Sequence, residues 1–190
     1  MAYLLQGILF IGLIFVAVYA MDSRKAQDKS DTMVGTNSSM STEFTITSSE
    51  FEQNGTIPSR FTCDGDRSVN PALVFSGIPD GAKSLALIMD DPDVPKALHA
   101  DGVFDHWVLF NIPPEAQGIL EGQSVGIAGA NGRGDRAYTG PCPPPQYEPS
   151  EHRYVFVLYA LDTSVQLKEG ATKQEVLKAM EGHVIQEAEL

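Results

Sequence analysis

The chain has 190 residues, 43% of them hydrophobic and 20% charged, and a formal net charge of -12. That length suits one globular domain with an appendage, and not comfortably two domains. The acidic balance disfavours nucleic acid and anionic membrane surface as partners, because affinity for either is carried largely by Lys and Arg, and a small anionic ligand would need a local pocket working against the overall field.

Residues 2–20 carry no charge and are almost wholly apolar, broken only by Gln6, Gly7 and Gly12. This stretch suits a signal peptide or a short membrane anchor, with small residues around Val18-Tyr19-Ala20 where cleavage could fall. No Lys or Arg precedes it, whereas Arg24, Lys25 and Lys29 follow, so a strict charge count puts the following side in the cytoplasm. The expectation is an extracytoplasmic domain, tethered or secreted, with a membrane-anchored domain on the cytoplasmic face as the alternative. Membrane contact runs through this segment only. Residues 21–42 are polar, rich in Ser, Thr, Asp and Lys, and without periodicity, which reads as a disordered linker.

The domain is expected over residues 43–190. Phe44-Thr45-Ile46-Thr47 alternates like a half-buried strand, and Pro71 to Phe75 forms another short one. The run Leu85-Ala86-Leu87-Ile88-Met89 ends abruptly in Asp90-Asp91-Pro92-Asp93-Val94-Pro95 and reads as a strand buried on both faces. Two further apolar strands are opened by His106 and by His152-Arg153. Glu121 to Pro149 is dense in Gly and Pro, and so long an irregular segment inside a domain is usually functional or disordered. Thr172-Lys173-Gln174-Glu175 is a capping box, and Val176, Leu177, Met180, Val184 and Ile185 follow at helical spacing to the chain end. Short strands punctuated by turn residues, with one late helix, define a mainly antiparallel β domain.

Three strand ends carry the chemistry. In extended backbone Asp91 and Asp93 point the same way, so both carboxylates can address one spot. His106 and His152 can both donate, a neighbouring carboxylate favours the protonated ring, and Tyr154 adds a hydroxyl on the face of His152. A Gly/Pro loop can bring backbone N–H groups close. Such a set suits a small oxyanion such as phosphate. A metal site drawn from Asp91, Asp93, His106 and His152 is the lesser reading, since no close His pattern supports it. For nucleophilic catalysis Cys142 is the one attractive side chain, yet it sits between prolines with no helix N-terminus to activate it. Cys63 and Cys142 pair as a disulfide in an exported domain or remain buried thiols. Asp64, Asp66 and Asp101 read as solvated loop acids, His183 as packing or a local hydrogen bond, and His99 as a loop residue without a signal.

Taken together, Asp91-Pro92-Asp93-Val94-Pro95, His106-Trp107, Tyr138-Thr139-Gly140-Pro141-Cys142-Pro143-Pro144 and His152-Arg153-Tyr154 resemble the phosphatidylethanolamine-binding protein (PEBP) family. The bacterial and archaeal Raf-kinase-inhibitor-like branch is the nearest match, supported by Phe61-Thr62-Cys63-Asp64-Gly65 and Tyr159-Ala160-Leu161-Asp162. The resemblance implies a large antiparallel β-sheet packed with a smaller one, plus peripheral helices. It implies a ligand pocket of Asp91, Asp93, Pro95, His106, Tyr138, Gly140, Cys142, Pro143, His152 and Tyr154 for phosphate or a phosphorylethanolamine-like group. It departs from many relatives in lacking a Gly-Thr-Tyr-type tail after the last helix and in the length of the segment Pro143 to Glu151. The functional expectation is non-enzymatic binding of a small anionic ligand, with no cofactor, together with regulation of a protein partner. The alternatives are a protease or other protein inhibitor acting through the Gly/Pro loop and, more remotely, a metal-assisted hydrolase.

Overall fold

A computed structural model describes residues 43–190 of the chain. The expected leader, 1–20, and the expected linker, 21–42, lie outside the described residues. Among the described residues no helix is long and apolar enough to cross a membrane.

Eight strands and one α-helix form the domain: β1 Thr45–Thr47, β2 Leu73–Ser76, β3 Ser84–Asp91, β4 Phe104–Ile112, β5 Gly118–Ile119, β6 Ile127–Ala128, β7 Val155–Leu161, α1 Lys173–Met180 and β8 Val184–Glu189. They make two sheets, β1-β2-β5 and β6-β4-β3-β7-β8, antiparallel at every pairing. The expected large and small antiparallel sheets are both present.

The central position of β3 follows from its composition. A strand without a polar face is stable only where both faces are covered. Leu85, Leu87 and Met89 join Phe44, Leu73, Phe75, Trp107 and Phe156 in the core between the sheets. Ala86 packs instead with Val108, Phe110, Leu161, Val176 and Met180 beneath the helix. The helix begins at the expected capping box: Thr172 Oγ1 accepts from the Glu175 amide, and Thr172 N–H donates to Glu175 Oε2.

The helix end departs from expectation. It stops at Met180, the chain turns through Gly182 at φ +77°, and Val184–Glu189 becomes an edge strand on β7. Val184 and Ile185 fall at a helical distance from Met180 by coincidence. Glycine in the left-handed region ends the helix, and β-branched residues suit the strand that follows.

One irregularity in β4 positions the site. Pairing with β3 passes from Met89↔Trp107 to Asp90↔Asp105, so His106 is the extra residue of a β-bulge. A bulge resets the alternation of side chains. Asp105 therefore meets Lys173 of α1 on the helix side, while Trp107 enters the core between the sheets. Lys173 Nζ bridges Asp90 at 3.0 Å and Asp105 at 2.5 Å, tying the helix start to β3 and β4. Burial works against the Lys173 ammonium, but the Asp105 and Asp90 carboxylates outweigh it and hold its pKa above the usual lysine value.

Candidate functional site

Because β3 runs antiparallel to both β4 and β7, its C-terminal end lies beside the N-terminal ends of its two neighbours: Asp91 pairs with Phe104 and Asp90 with Val155. The three sequence segments singled out for chemistry thus converge. His152 is not the first residue of a strand but lies three positions before β7.

At the centre is a buried pair. His152 Nδ1–H donates to Asp91 Oδ2 at 2.6 Å, with side-chain exposures of 1% and 5%. The other Asp91 oxygen accepts from the Asp93 amide at 2.9 Å. His106 Nδ1–H donates to the Thr139 carbonyl at 2.5 Å. Burial lowers the His106 pKa below the ordinary imidazole value, with the Thr139 bond and the Asp91 charge pulling the other way. The rings of His99, Phe104, His106 and Tyr154 meet edge to face in sequence, with centroid separations of 5.3, 4.8 and 5.2 Å.

Of the expected residues, Asp91, His106, Gly140, Cys142, Pro143 and His152 line one cavity of about 350 Å³. Four others stand around it. The Asp93 carboxylate turns to Arg153, bonding its Nε at 2.9 Å and Nη2 at 2.7 Å, and this pairing lowers its pKa to about 2. Pro95 shapes the turn that delivers Leu98 and His99, accepting both of their amides. Tyr138 is buried, its hydroxyl donating to the Phe61 carbonyl at 3.1 Å and its ring edge-on to Trp107. Tyr154 packs against His106, and its buried hydroxyl has no partner among the described residues. It faces a larger groove, of about 1090 Å³, that shares Cys142, Pro143 and His152 with the cavity.

The sequence reading missed the cavity's cations. Arg67 and Arg133 both line it, and among the described residues neither forms a salt bridge. Arg133 rides on a tight loop organised by buried Asn131, whose Oδ1 accepts from the amides of Arg133 and Asp135. Gly132 lies against the Phe104 ring, where a Cβ would come within 2.7 Å of it. Arg67 belongs to a loop zipped to the Gly/Pro segment by Gly140 N–H to Arg67 O at 2.7 Å and Cys63 N–H to Pro141 O at 3.0 Å. Gly140 is obligatory, since a Cβ there would sit 2.0 Å from the Phe61 oxygen. Cys63 and Cys142 complete the zip as a disulfide, which decides between the two expected cysteine states. His99, Phe104, Val94 and Leu98 also reach the cavity, and His183 makes the expected local bond, to Asp162. A spaced Asn131-Gly132-Arg133-Gly134-Asp135 is the one sequence signal that marks a cation held by a structured turn. Among the described residues no three His, Cys, Asp or Glu side chains gather as metal ligands.

The family model described as phosphatidylethanolamine-binding protein matches residues 47–190. The chain belongs to that family. It is 48% identical over 147 residues to the UPF0098 protein of Methanothermobacter thermautotrophicus, covering 74% of this chain and 91% of that one. Against a UPF0098 protein of Chlamydia muridarum it is 42% identical over 146 residues, 76% of this chain and 94% of the other. Among solved structures it resembles a putative phosphatidylethanolamine-binding protein homolog of Chlamydia trachomatis, with a TM-score of 0.72 and 40% identity over 77% of this chain and 94% of that one. Escherichia coli YbcL, described as a member of the mammalian PEBP family, matches at a TM-score of 0.68 and 27% identity over 78% of this chain and 96% of its own.

Proposed function

We propose that the domain binds a small oxyanion, phosphate or the phosphate of a phosphorylethanolamine-like group, and performs no chemistry on it. The observation that carries this reading is the pairing, in one cavity of about 350 Å³, of two arginines that form no salt bridge among the described residues with two buried imidazoles. Guanidinium groups match phosphate oxygens in geometry and charge. The one carboxylate of the cavity lining, Asp91, is engaged by His152 and so presents little repulsion to an anion. The family's name and that of the Chlamydia trachomatis homolog support a phospholipid head group as one source of the ligand.

The Cys63–Cys142 bridge suits an oxidising compartment, which supports a domain outside the cytoplasm. Occupancy of the cavity would change the rim formed by Gly140 to Pro143, and regulation of a partner protein would act through that rim.

The test is an NMR titration with inorganic phosphate and with phosphorylethanolamine, following the imidazole resonances. Saturable shifts at His106 and His152, lost on Asp91→Ala in a folded protein, are the expected result. Flat titrations of a folded sample overturn the reading.

A further inference from the structure

We infer that the cavity selects oxyanions that bring their own proton, taking hydrogen phosphate over a sulfate of equal charge and similar size, because His106 meets the ligand as a hydrogen-bond acceptor. The inference rests on the anion-binding reading above and specifies which anions that site takes.

A carbonyl oxygen can only accept, so the 2.5 Å contact with Thr139 fixes a proton on His106 Nδ1. Nε2 is then the one ring atom through which His106 can bond a ligand, and in the neutral ring it carries a lone pair. His152 repeats the geometry: Nδ1–H donates to the Asp91 carboxylate, and Nε2 is buried without a partner among the described residues. Both rings line the cavity.

The surroundings keep His106 neutral. Burial disfavours its imidazolium, and this outweighs the Thr139 bond and the charges of Asp91 from β3 and Asp105 from β4. Those two acids are themselves engaged, Asp91 by His152 and Asp105 by Lys173 of α1. His152, from the segment before β7, opposes a positive charge on His106, and Arg67 and Arg133, from their loops, line the same cavity. Tyr154 presents its ring edge-on.

A ligand here therefore meets donors from the arginines and a lone pair from His106. Sulfate offers oxygens that only accept, so it binds well only if a proton enters from solvent onto Nε2. Hydrogen phosphate carries an O–H and donates it to Nε2 directly. Binding sulfate takes up at least one proton more than binding hydrogen phosphate.

The experiment is calorimetric titration of the full chain with inorganic phosphate and inorganic sulfate, in two buffers of different ionisation enthalpy. It is run at about pH 8, above the ordinary imidazole range, where both ions are chiefly dianions. Phosphate is expected to bind at least about tenfold tighter, the loss from a buried acceptor left unpaired. Sulfate is expected to take up about one extra proton per ion, and its affinity to fall about tenfold per pH unit as pH rises. Equal affinities with equal proton uptake overturn the inference while leaving the anion site standing. If neither ion binds a folded sample, both readings fail. His106→Gln puts an amide donor in place of the lone pair and should bring the two affinities to within about threefold. A ratio unchanged in His106→Gln and in His106→Asn overturns the assignment to His106.

Discussion

Replacing Cys63 and Cys142 together by alanine isolates what the bridge contributes. The two residues are separated by 79 positions. In the loop-closure account, a cross-link spanning that length removes enough entropy from the unfolded chain to stabilise the fold by about 4–5 kcal/mol. The folded state has other means of holding the same contact. Cys63 N–H to Pro141 O, Gly140 N–H to Arg67 O and Tyr138 Oη–H to Phe61 O all persist without the sulfurs. The loss should therefore fall on the unfolded side, leaving the folded geometry and phosphate affinity nearly as they were. Urea unfolding of the oxidised protein and of the double variant measures it. The midpoint should fall, and the slope m should rise because the unbridged chain exposes more surface. Against a typical domain stability of about 5–15 kcal/mol, a loss of this size is large. A loss under about 1 kcal/mol with m unchanged would refute the entropic reasoning, because it would mean the unfolded chain is already held together at this point.

Lys173→Met removes the ammonium from between Asp90 and Asp105, and breaking so enclosed a network should cost about 3 kcal/mol by thermal unfolding. The deficit should shrink in acid, where burial makes Asp90 take up a proton more readily than an ordinary aspartate. At Asp93 the carboxyl is held down to about 2, so its contribution is complete above the ordinary aspartate range and is lost as pH falls through about 2. Arg153 is 73% exposed, and solvent screening keeps this contribution small. Acid titration of Arg153→Ala against the parent protein checks it, and the two curves should converge at the acid end.

Much of the fold could be read from local pattern because local physics decides it. The apolar run into Asp90-Asp91 has no polar face, and such a strand has nowhere to go but the centre of a covered sheet. The Thr172/Glu175 box names its own helix start. The helix end could not be read as well, because Val184 and Ile185 satisfy the helical period while pairing with β7 as a strand. Pairing is a long-range decision, and the only local hint against the helix was Gly182 at positive φ.

The same division runs through the site. Asp91, His106 and His152 stood out because each lies at or just before an end of an apolar run, and an antiparallel centre strand must bring those ends together. Arg67 and Arg133 did not stand out because each lies in a polar loop, where an arginine is ordinary. Their place in the cavity comes from contacts distant in sequence: the Arg67 loop is fastened across 79 residues to the Gly/Pro segment, and the Asn131 turn is pressed by Gly132 onto Phe104. Even His106, singled out from its place in the sequence, owes its direction to a bulge that no residue type announces. In this protein Asp91 and His106 come from strands, His152 from the segment just before β7, and the cations from loops. If the cavity takes an anion as proposed, exchange of Arg67 or Arg133 should change affinity for phosphate and leave the Asp91–His152 pair intact, because the arginines stand on loops apart from that pair.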